Sequence, residues 1–405
     1  MKKKEKEFLR SVSGYLPLAV RKLVTKNRIN SINEGLMSET DLISAADEEK
    51  RLVILEKYKA QYPKVAAETQ ANIDRLFKTS AIYGNMEKEK RDSIISDMMF
   101  CRYAYGFHVE EYVSYQLERD TDGAIRRSFI SETERHTFRF AVNDYSFGDY
   151  STKTKAYNRL KKYYKRGFLI VDSSNPDSLK AFLQRYPYCI KKPENLSGGR
   201  GITLINSCAI LSDNRELKQL LDEAENTPIV IEEQLVQDGA LKKFNPDTLN
   251  TVRLLSYYCR NGIVIKHGFF KTGRKGSIVD NGASGGIIWG IDSEKGKVVS
   301  EGFDELGYRY LSHPDSGEEV IGYCFPEWDK VLGMVTEAAR ETPRAKWLGW
   351  DLAYTPKYGW EIIEVNTSPT FLVQGSTMKS ERQELRNLID EMDLLVPFSI
   401  PEIKK

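Results

Sequence analysis

The sequence predicts an α+β protein: an N-terminal helical region, residues 1–150, then strands mixed with helices over 151–405. Three observations predict it. The first 150 residues are dense in Glu, Lys and Leu and sparse in Gly. After residue 150, short strand-like runs alternate with helical patterns. From Thr251 the texture becomes antiparallel, with the hairpins "TVRLLSYYC"–"IVIKHGFFK" around "RNG" and "WLGWDLAYT"–"WEIIEV" around "PKYG".

The elements follow in order. Capping signatures "SETD" at Ser38–Asp41 and "SETE" at Ser131–Glu134 mark two helix starts. "GFLIVD" (Gly167–Asp172) reads as a strand. "SNPDSLKAFLQRY" opens a helix, with Asn175 as cap and Pro176 at its first position. "YCIKK" is a strand that runs into the loop "SGGRGI", and "GITLINS" leaves that loop as another. A helix capped by Ser212 and the strand "PIVIEEQL" come next. A long helix near Pro326–Glu341 separates the two hairpins.

Composition narrows the function. A chain of 405 residues accommodates two or three domains, and a net charge of +2 gives no bulk case for nucleic acid as a partner. The start is a local exception: Lys2 to Arg28 carry six lysines and three arginines against Glu5 and Glu7. With Phe8, Leu9, Val12, Leu16 and Leu18 this stretch reads as a solvated helix face, and peripheral contact with an anionic membrane is the second reading. The five cysteines include no C-x-x-C pair, so neither a zinc site nor a disulfide framework is indicated. No run approaches the roughly 18 apolar residues of a membrane span, and no apolar h-region follows the first lysines. A soluble cytoplasmic protein is expected, with the inner face of the membrane as the alternative location. His108, His136, His267 and His313 show no ligand spacing; His267 reads as structural or substrate-facing.

Two constellations carry chemistry. The glycine loop fits neither the Walker pattern nor a dinucleotide fingerprint, because a strand follows it. A strand–glycine loop–strand is a hairpin flap, and Lys192 at the end of its first strand can reach a phosphate oxygen. The second constellation is "GWDLAYTPKYGWEIIEVNTSP". A simple hairpin centred on "PKYG" sets Asp351 opposite Glu364, and the strand period of two puts Asn366 on the same face. Two carboxylates and an amide oxygen make a hard-oxygen site suited to Mg²⁺.

These motifs, in this order, resemble the ATP-grasp superfamily over roughly Lys153 to Ser376. The resemblance implies a fold in which two antiparallel α+β subdomains, at 151–235 and 236–405, sandwich ATP under a glycine-rich flap. It implies Lys192 as the phosphate-contacting lysine, with Ser197, Gly198, Gly199 and Gly201 in the flap. Adenine would be bound by Glu232 or Glu233 with Gln234 and Leu235, and Gln237 or Asp238 would lie near the ribose. Lys153, or else Lys155, would be the first nucleotide-contacting lysine, and Asp351, Glu364 and Asn366 the metal ligands. "NTVRLL" and "DNGASGG" resemble the sugar-transfer-associated ATP-grasp family in particular. "EVNTSP" is also similar to D-alanine–D-alanine ligases, although Thr370 stands where those usually have glycine.

The implied activity is ATP-dependent carboxylate–amine ligation through an acyl phosphate, joining an amine to a sugar carboxylate, for instance that of a uronic acid. A phosphotransferase is the alternative. Arg253 and Lys271 would stabilise the transferring phosphoryl group, with Arg200 on the flap as a further candidate. Asn250, Asp280 and Asn281 would orient substrate or metal ligands. One geometric expectation tests the pairing of the two cations. A three-residue turn Arg260–Asn261–Gly262 sets Arg253 opposite Phe269 and puts Lys271 on the same face.

Overall fold

The computed structural model describes residues 17–144, 150, 152–194, 199–280, 282 and 285–400. The principal helices are α1 (Leu18–Asn33), α2 (Glu48–Gln61), α3 (Pro63–Thr79), α4 (Lys88–Ala104), α5 (Glu132–Val142), α6 (Lys153–Leu160), α7 (Pro176–Arg185), α8 (Asn214–Asn226), α9 (Trp328–Arg340) and α10 (Arg382–Asp390). Strands β1 (Phe168–Ile170), β2 (Tyr188–Pro193), β3 (Thr203–Asn206) and β4 (Ile229–Glu233) form a small antiparallel sheet in the order β1-β4-β2-β3. The larger sheet takes β5 (Thr251–Cys259), β6 (Gly262–Thr272), β7 (Ile287–Asp292), β8 (Lys297–Phe303), β9 (Arg309–Tyr310), β10 (Trp347–Thr355) and β11 (Gly359–Asn366). Its order is β11-β10-β5-β6-β7-β8-β9.

Local signals set the helix starts. Ser131 accepts from the Glu134 amide while the Glu134 carboxylate accepts from the Ser131 amide at 3.0 Å, so the capping box forms. Asn175 caps α7 as expected, with Pro176 at its first position. Ser38 caps only the short helix Glu39–Ser44. The cap expected at Ser212 is instead Asp213, whose carboxylate accepts from the Arg215 amide at 2.8 Å. Ser212 ends the preceding helical turn, and its hydroxyl donates to the Ala209 carbonyl.

The helical region has a core of its own, running from Met37 to Phe129. The next segment leaves it: Ile130, Phe138 and Val142 pack on the large sheet with Leu255, Tyr257, Trp347 and Leu385. Asn143 fixes the junction through both its amide atoms, donating to the Trp347 carbonyl at 2.8 Å and accepting from the Trp347 amide at 2.9 Å. On the opposite face of the same sheet, α9 lays Trp328, Val331 and Val335 against Leu254, Phe270, Trp289 and Trp350. A strand buried on both faces is apolar almost throughout, which is why β5 and β10 show little alternation.

Both hairpins that carry the candidate residues contain a bulge. In β5–β6 the turn has two residues, Arg260 and Asn261, because Cys259 pairs with Gly262. The expected three-residue turn does not form. The register then shifts between Leu255 and Arg253, where His267 takes φ +59°, and Arg253 pairs with Phe269 after all. In β10–β11 Thr355 pairs with Gly359, which would set Asp351 opposite Ile363. A second shift beside Ile363 restores the pair Asp351–Glu364. Each expected pairing occurs, by a different route.

The first bulge is tightly enclosed. A Cβ at Gly268 would meet Leu254 Cδ2 at 2.8 Å, Ser293 Oγ at 2.8 Å and Ile291 Cδ1 at 2.9 Å. Gly268→Ala should therefore destabilise the fold by about 1–3 kcal/mol. Gly333 lies in α9 with nothing within 4 Å of such a Cβ, so Gly333→Ala should stabilise by about 0.5–1 kcal/mol. Urea unfolding of both variants checks the contrast.

Candidate active site

The site is built where the two sheets face each other. On β2, alternate side chains point to opposite faces. Lys191 goes outward to Glu223 of α8 at 2.7 Å, while the Lys192 Nζ donates to Glu232 Oε2 of β4 at 2.7 Å. Glu232 is also held by Arg166, whose Nε donates to the same oxygen at 2.8 Å. The guanidinium then crosses to the large sheet. It donates to Glu361 Oε2 at 3.1 Å and to the carbonyls of Ile362 at 2.9 Å and Ile363 at 3.0 Å. Burial raises the Glu232 pKa, but the charges of Arg166 and Lys192 outweigh it and hold the carboxyl at about 2. Arg166 offsets the burial of Glu361 only in part, and the Glu361 pKa stays above the usual carboxylate range.

On the large sheet a row of side chains runs across three strands. Asp351 on β10 pairs with Arg253 on β5 and with Glu364 on β11. The Arg253 guanidinium donates to Asp351 through Nε at 2.7 Å and also through Nη2. Lys271 Nζ lies 3.2 Å from Asp351 Oδ1 and 3.5 Å from Asp280 Oδ1. Arg253 and Lys271 thus meet on one carboxylate, as the pairing expectation requires. Burial works against the Asp351 charge, yet the two cations hold its pKa at about 2. Asp280 is anchored by the Thr251 amide, which donates to it at 3.0 Å.

A cleft of about 370 Å³ joins the two clusters. Lys192, Glu232, Glu233, Gln234, Leu235 and Gln237 line it on one side, and Lys271, Asp280, Asp351 and Glu364 on the other. Neither Glu232 nor Glu233 offers a loose carboxylate. Glu232 is held as described, and Glu233 accepts from Lys357 at 2.6 Å, Tyr358 at 2.8 Å and the Gly167 amide at 3.0 Å.

Asn250 and Gln237 clasp each other. Gln237 Oε1 accepts from the Asn250 side-chain amide at 2.7 Å, and its own amide donates to the Asn250 carbonyl at 2.7 Å. Asn250 Oδ1 further accepts from the Gly273 amide at 3.2 Å. Asn250 is therefore a buried clamp that, like Arg253, does not itself line the cleft. Arg200 is exposed on the flap between Gly199 and Gly201, whose φ values are +74° and +73°, and it too lies outside the lining. Lys153 opens α6; the neighbouring Thr154 amide donates to Glu194 at 3.1 Å, which ties that helix start to the end of β2. Ser197, Gly198 and Asn281 lie outside the described residues.

The donor set fits a divalent cation at Asp351 and Glu364. The first is fully ionised, and the second is exposed toward the cleft directly across the strand pair. Asn366 lies two positions along on the same face, and its oxygen already accepts from the Ser368 amide at 2.8 Å, with a second lone pair to spare.

Arg166 and Glu361 were not anticipated from the sequence. The signal was a glutamate inside the apolar run "WEIIEV", since a charge on a buried strand requires a partner elsewhere. Arg135 of α5 is a third. Its guanidinium donates to Ser368 Oγ and to the Pro369 carbonyl, both at 2.8 Å, and so holds the loop that follows Asn366.

The family model described as sugar-transfer associated ATP-grasp matches residues 163–388, and the chain belongs to that family. No curated protein matches it. Among solved structures it is similar to N5-carboxyaminoimidazole synthetase from Staphylococcus aureus complexed with ADP, at 13% identity and TM-score 0.32. That match covers 54% of this chain and only 44% of the synthetase, so it spans less than half of that protein. VanG D-Ala:D-Ser ligase from Enterococcus faecalis gives 13% identity and TM-score 0.40, over 63% of this chain and 67% of that one. The ATP-grasp ligase PsnB, complexed with minimal precursor, Mg and ADP, gives 13% and 0.36, over 60% and 59%.

Removing Arg166 leaves two buried carboxylates without it, so Arg166→Met should cost about 3–5 kcal/mol at pH 7. The depressed pKa values of Glu232 and Asp351 contribute stability that is present above the ordinary carboxylate range. It is lost as pH falls from about 4.5 to about 2. In Arg166→Met the Glu232 pKa rises, and the acid transition should move to higher pH. Acid unfolding followed by tryptophan fluorescence reads both effects.

Proposed function

We propose that this chain is an ATP-dependent carboxylate–amine ligase, forming a C–N bond with release of ADP and phosphate. One observation carries the reading: a single cleft opposes the Lys192 cluster on the small sheet to the Asp351–Glu364–Lys271 cluster on the large one. On this reading Lys192 and Lys271 supply ammonium donors to the phosphates. Arg253, held rigid by Asp351, stabilises the negative charge on the transferring phosphoryl group. Asp351, Glu364 and Asn366 would hold Mg²⁺, whose charge would offset that of the phosphates when bound. The substrate carboxylate takes the γ-phosphoryl group, and the P–O bond to ADP breaks. The amine nitrogen then attacks the acyl carbon, loses a proton, and phosphate leaves.

The family description supports a sugar-linked carboxylate as acceptor, with a uronic-acid sugar the first to try and surface polysaccharide assembly as the setting. Among the described residues no helix is long and apolar enough to cross a membrane. Leu18, Leu23 and Val24 are exposed on α1 beside Lys22 and Lys26, which supports peripheral contact with an anionic surface from the cytoplasmic side.

The test supplies ATP, Mg²⁺, a panel of uronic-acid sugars and a panel of amino acids, and resolves ADP, phosphate and product by mass. ADP and phosphate should appear only when carboxylate and amine are both present. Glu364→Gln and Asp351→Asn should lower turnover by roughly 10²–10³-fold. Lys192→Ala should weaken ATP binding by about 1.5–3 kcal/mol, the worth of a charged hydrogen bond. A phosphorylated acceptor without free phosphate would assign a phosphotransferase instead.

A further inference from the structure

A second cluster of ligand-type side chains lies away from the cleft, where β6 meets α10. The His267 side chain is 1% exposed. Its Nδ1 is 2.6 Å from the Tyr257 hydroxyl. Its buried Nε2 lies 3.3 Å from Glu381 Oε2 and 3.4 Å from Glu384 Oε2, and among the described residues it makes no well-aligned hydrogen bond. One donor atom from each of the three residues lies within 4.8 Å of the other two. Burial disfavours a charged imidazole here, but the two carboxylates outweigh it and raise the His267 pKa. A proton on the ring is therefore the competitor for this position.

We propose that His267, Glu381 and Glu384 form a site for a divalent transition metal of the zinc type, independent of the nucleotide reading. Geometry carries the argument. Ligands about 2.0–2.1 Å from a tetrahedral Zn²⁺ are about 3.3–3.4 Å apart. Both histidine–carboxylate distances have that length. One imidazole and two carboxylates, with a fourth position open to water, make a donor set that Zn²⁺ accepts and that Mg²⁺ or Ca²⁺, which prefer all-oxygen sites, do not. The surroundings suit a metal as well. Tyr257 can fix the ring by accepting from Nδ1, which leaves the Nε2 lone pair for the ion. Lys266 holds the other Glu384 oxygen at 3.3 Å. Glu384 is 40% exposed at its side chain, which gives an entry path.

The position gives the site a purpose. His267 is the bulge residue with φ +59°, a value few non-glycine residues adopt. A metal joining it to α10 would lock the register that places Lys271 beside Asp351.

The experiment is a Zn²⁺ titration of the full chain, stripped with chelator and held against a chromogenic competitor, repeated with Co²⁺ to read its visible absorption. One tight site is expected, retained in Asp351→Asn. Its affinity should fall in His267→Gln and in Glu384→Gln by more than the roughly 10–100-fold that loss of an outer partner costs. The Co²⁺ bands should shift in both variants. Should His267→Gln fail to fold by circular dichroism, Glu384→Gln at its half-exposed position decides alone. Zn²⁺ affinity equal in the wild type and these variants, no tight binding at all, or binding lost only in Asp351→Asn would each overturn the proposal.

Discussion

The guanidinium of Arg166 is the contact on which the arrangement of the two sheets depends. An unpaired charge at 3% exposure would cost several kcal/mol. Arg166 escapes that cost only because both sheets supply acceptors: Glu232 from the small one, and Glu361 with two backbone carbonyls from the large one. Moving the sheets apart would break one set or the other. The cleft width between Lys192 and Glu364 is therefore coupled to a buried ionic network rather than to apolar packing alone. The two carbonyls belong to Ile362 and Ile363, at the bulge that returns Glu364 to the face of Asp351. One side chain thus braces the cleft and the register of one of its walls.

The two bulges show how a sequence argument reached the right pairings through wrong turns. Counting from the centre of "PKYG" paired Asp351 with Glu364, and the observed turn alone would have paired it with Ile363. A one-residue slip turns every side chain to the opposite face. Without the shift, Glu361 and Glu364 would face opposite ways; with it, one carboxylate binds Arg166 and the other opens to the cleft. Strand identity and the β2–β3 hairpin were legible because they are local. The bulges were not, since they follow from what the opposite strand and the buried charges require. Asn250 shows the same boundary from another side. The resemblance of "NTVRLL" singled it out, but nothing local said that Gln237 and the Gly273 amide would engage its side chain.

The last helix of the helical region, α5, packs on the large sheet and not in the region's own core. From α5, Arg135 reaches the loop after Asn366, and from α10 Arg382 reaches back to Glu134 at 2.8 Å and to the Phe129 carbonyl at 2.8 Å. These two buried arginines cross in opposite directions between the same pieces of structure. The Ser368 that Arg135 holds donates its own amide to Asn366. A chain of polar contacts therefore runs from Glu132 through Arg135 and Ser368 to the edge of the proposed metal site. The capping box at Ser131 and Glu134, the clearest helix signal in the sequence, sets where that chain begins.

Charge balance in the cleft constrains the order of binding on the proposed reading. Lys192 is neutralised by Glu232, and Arg253 and Lys271 by Asp351 with Asp280. A dication arriving alone at Asp351 would meet two cations already seated on its oxygens, and Coulomb repulsion at such short range in a buried site is large. A polyphosphate arriving alone would meet Glu232, Asp280, Asp351 and Glu364. With both present, phosphate oxygens would accept from Lys271 and Lys192, and the carboxylates so released would be available to hold the cation. On that reading the ion pairs would be stand-ins that keep buried charges satisfied until both ligands are present. By linkage, each ligand should then raise the affinity of the other by the same factor.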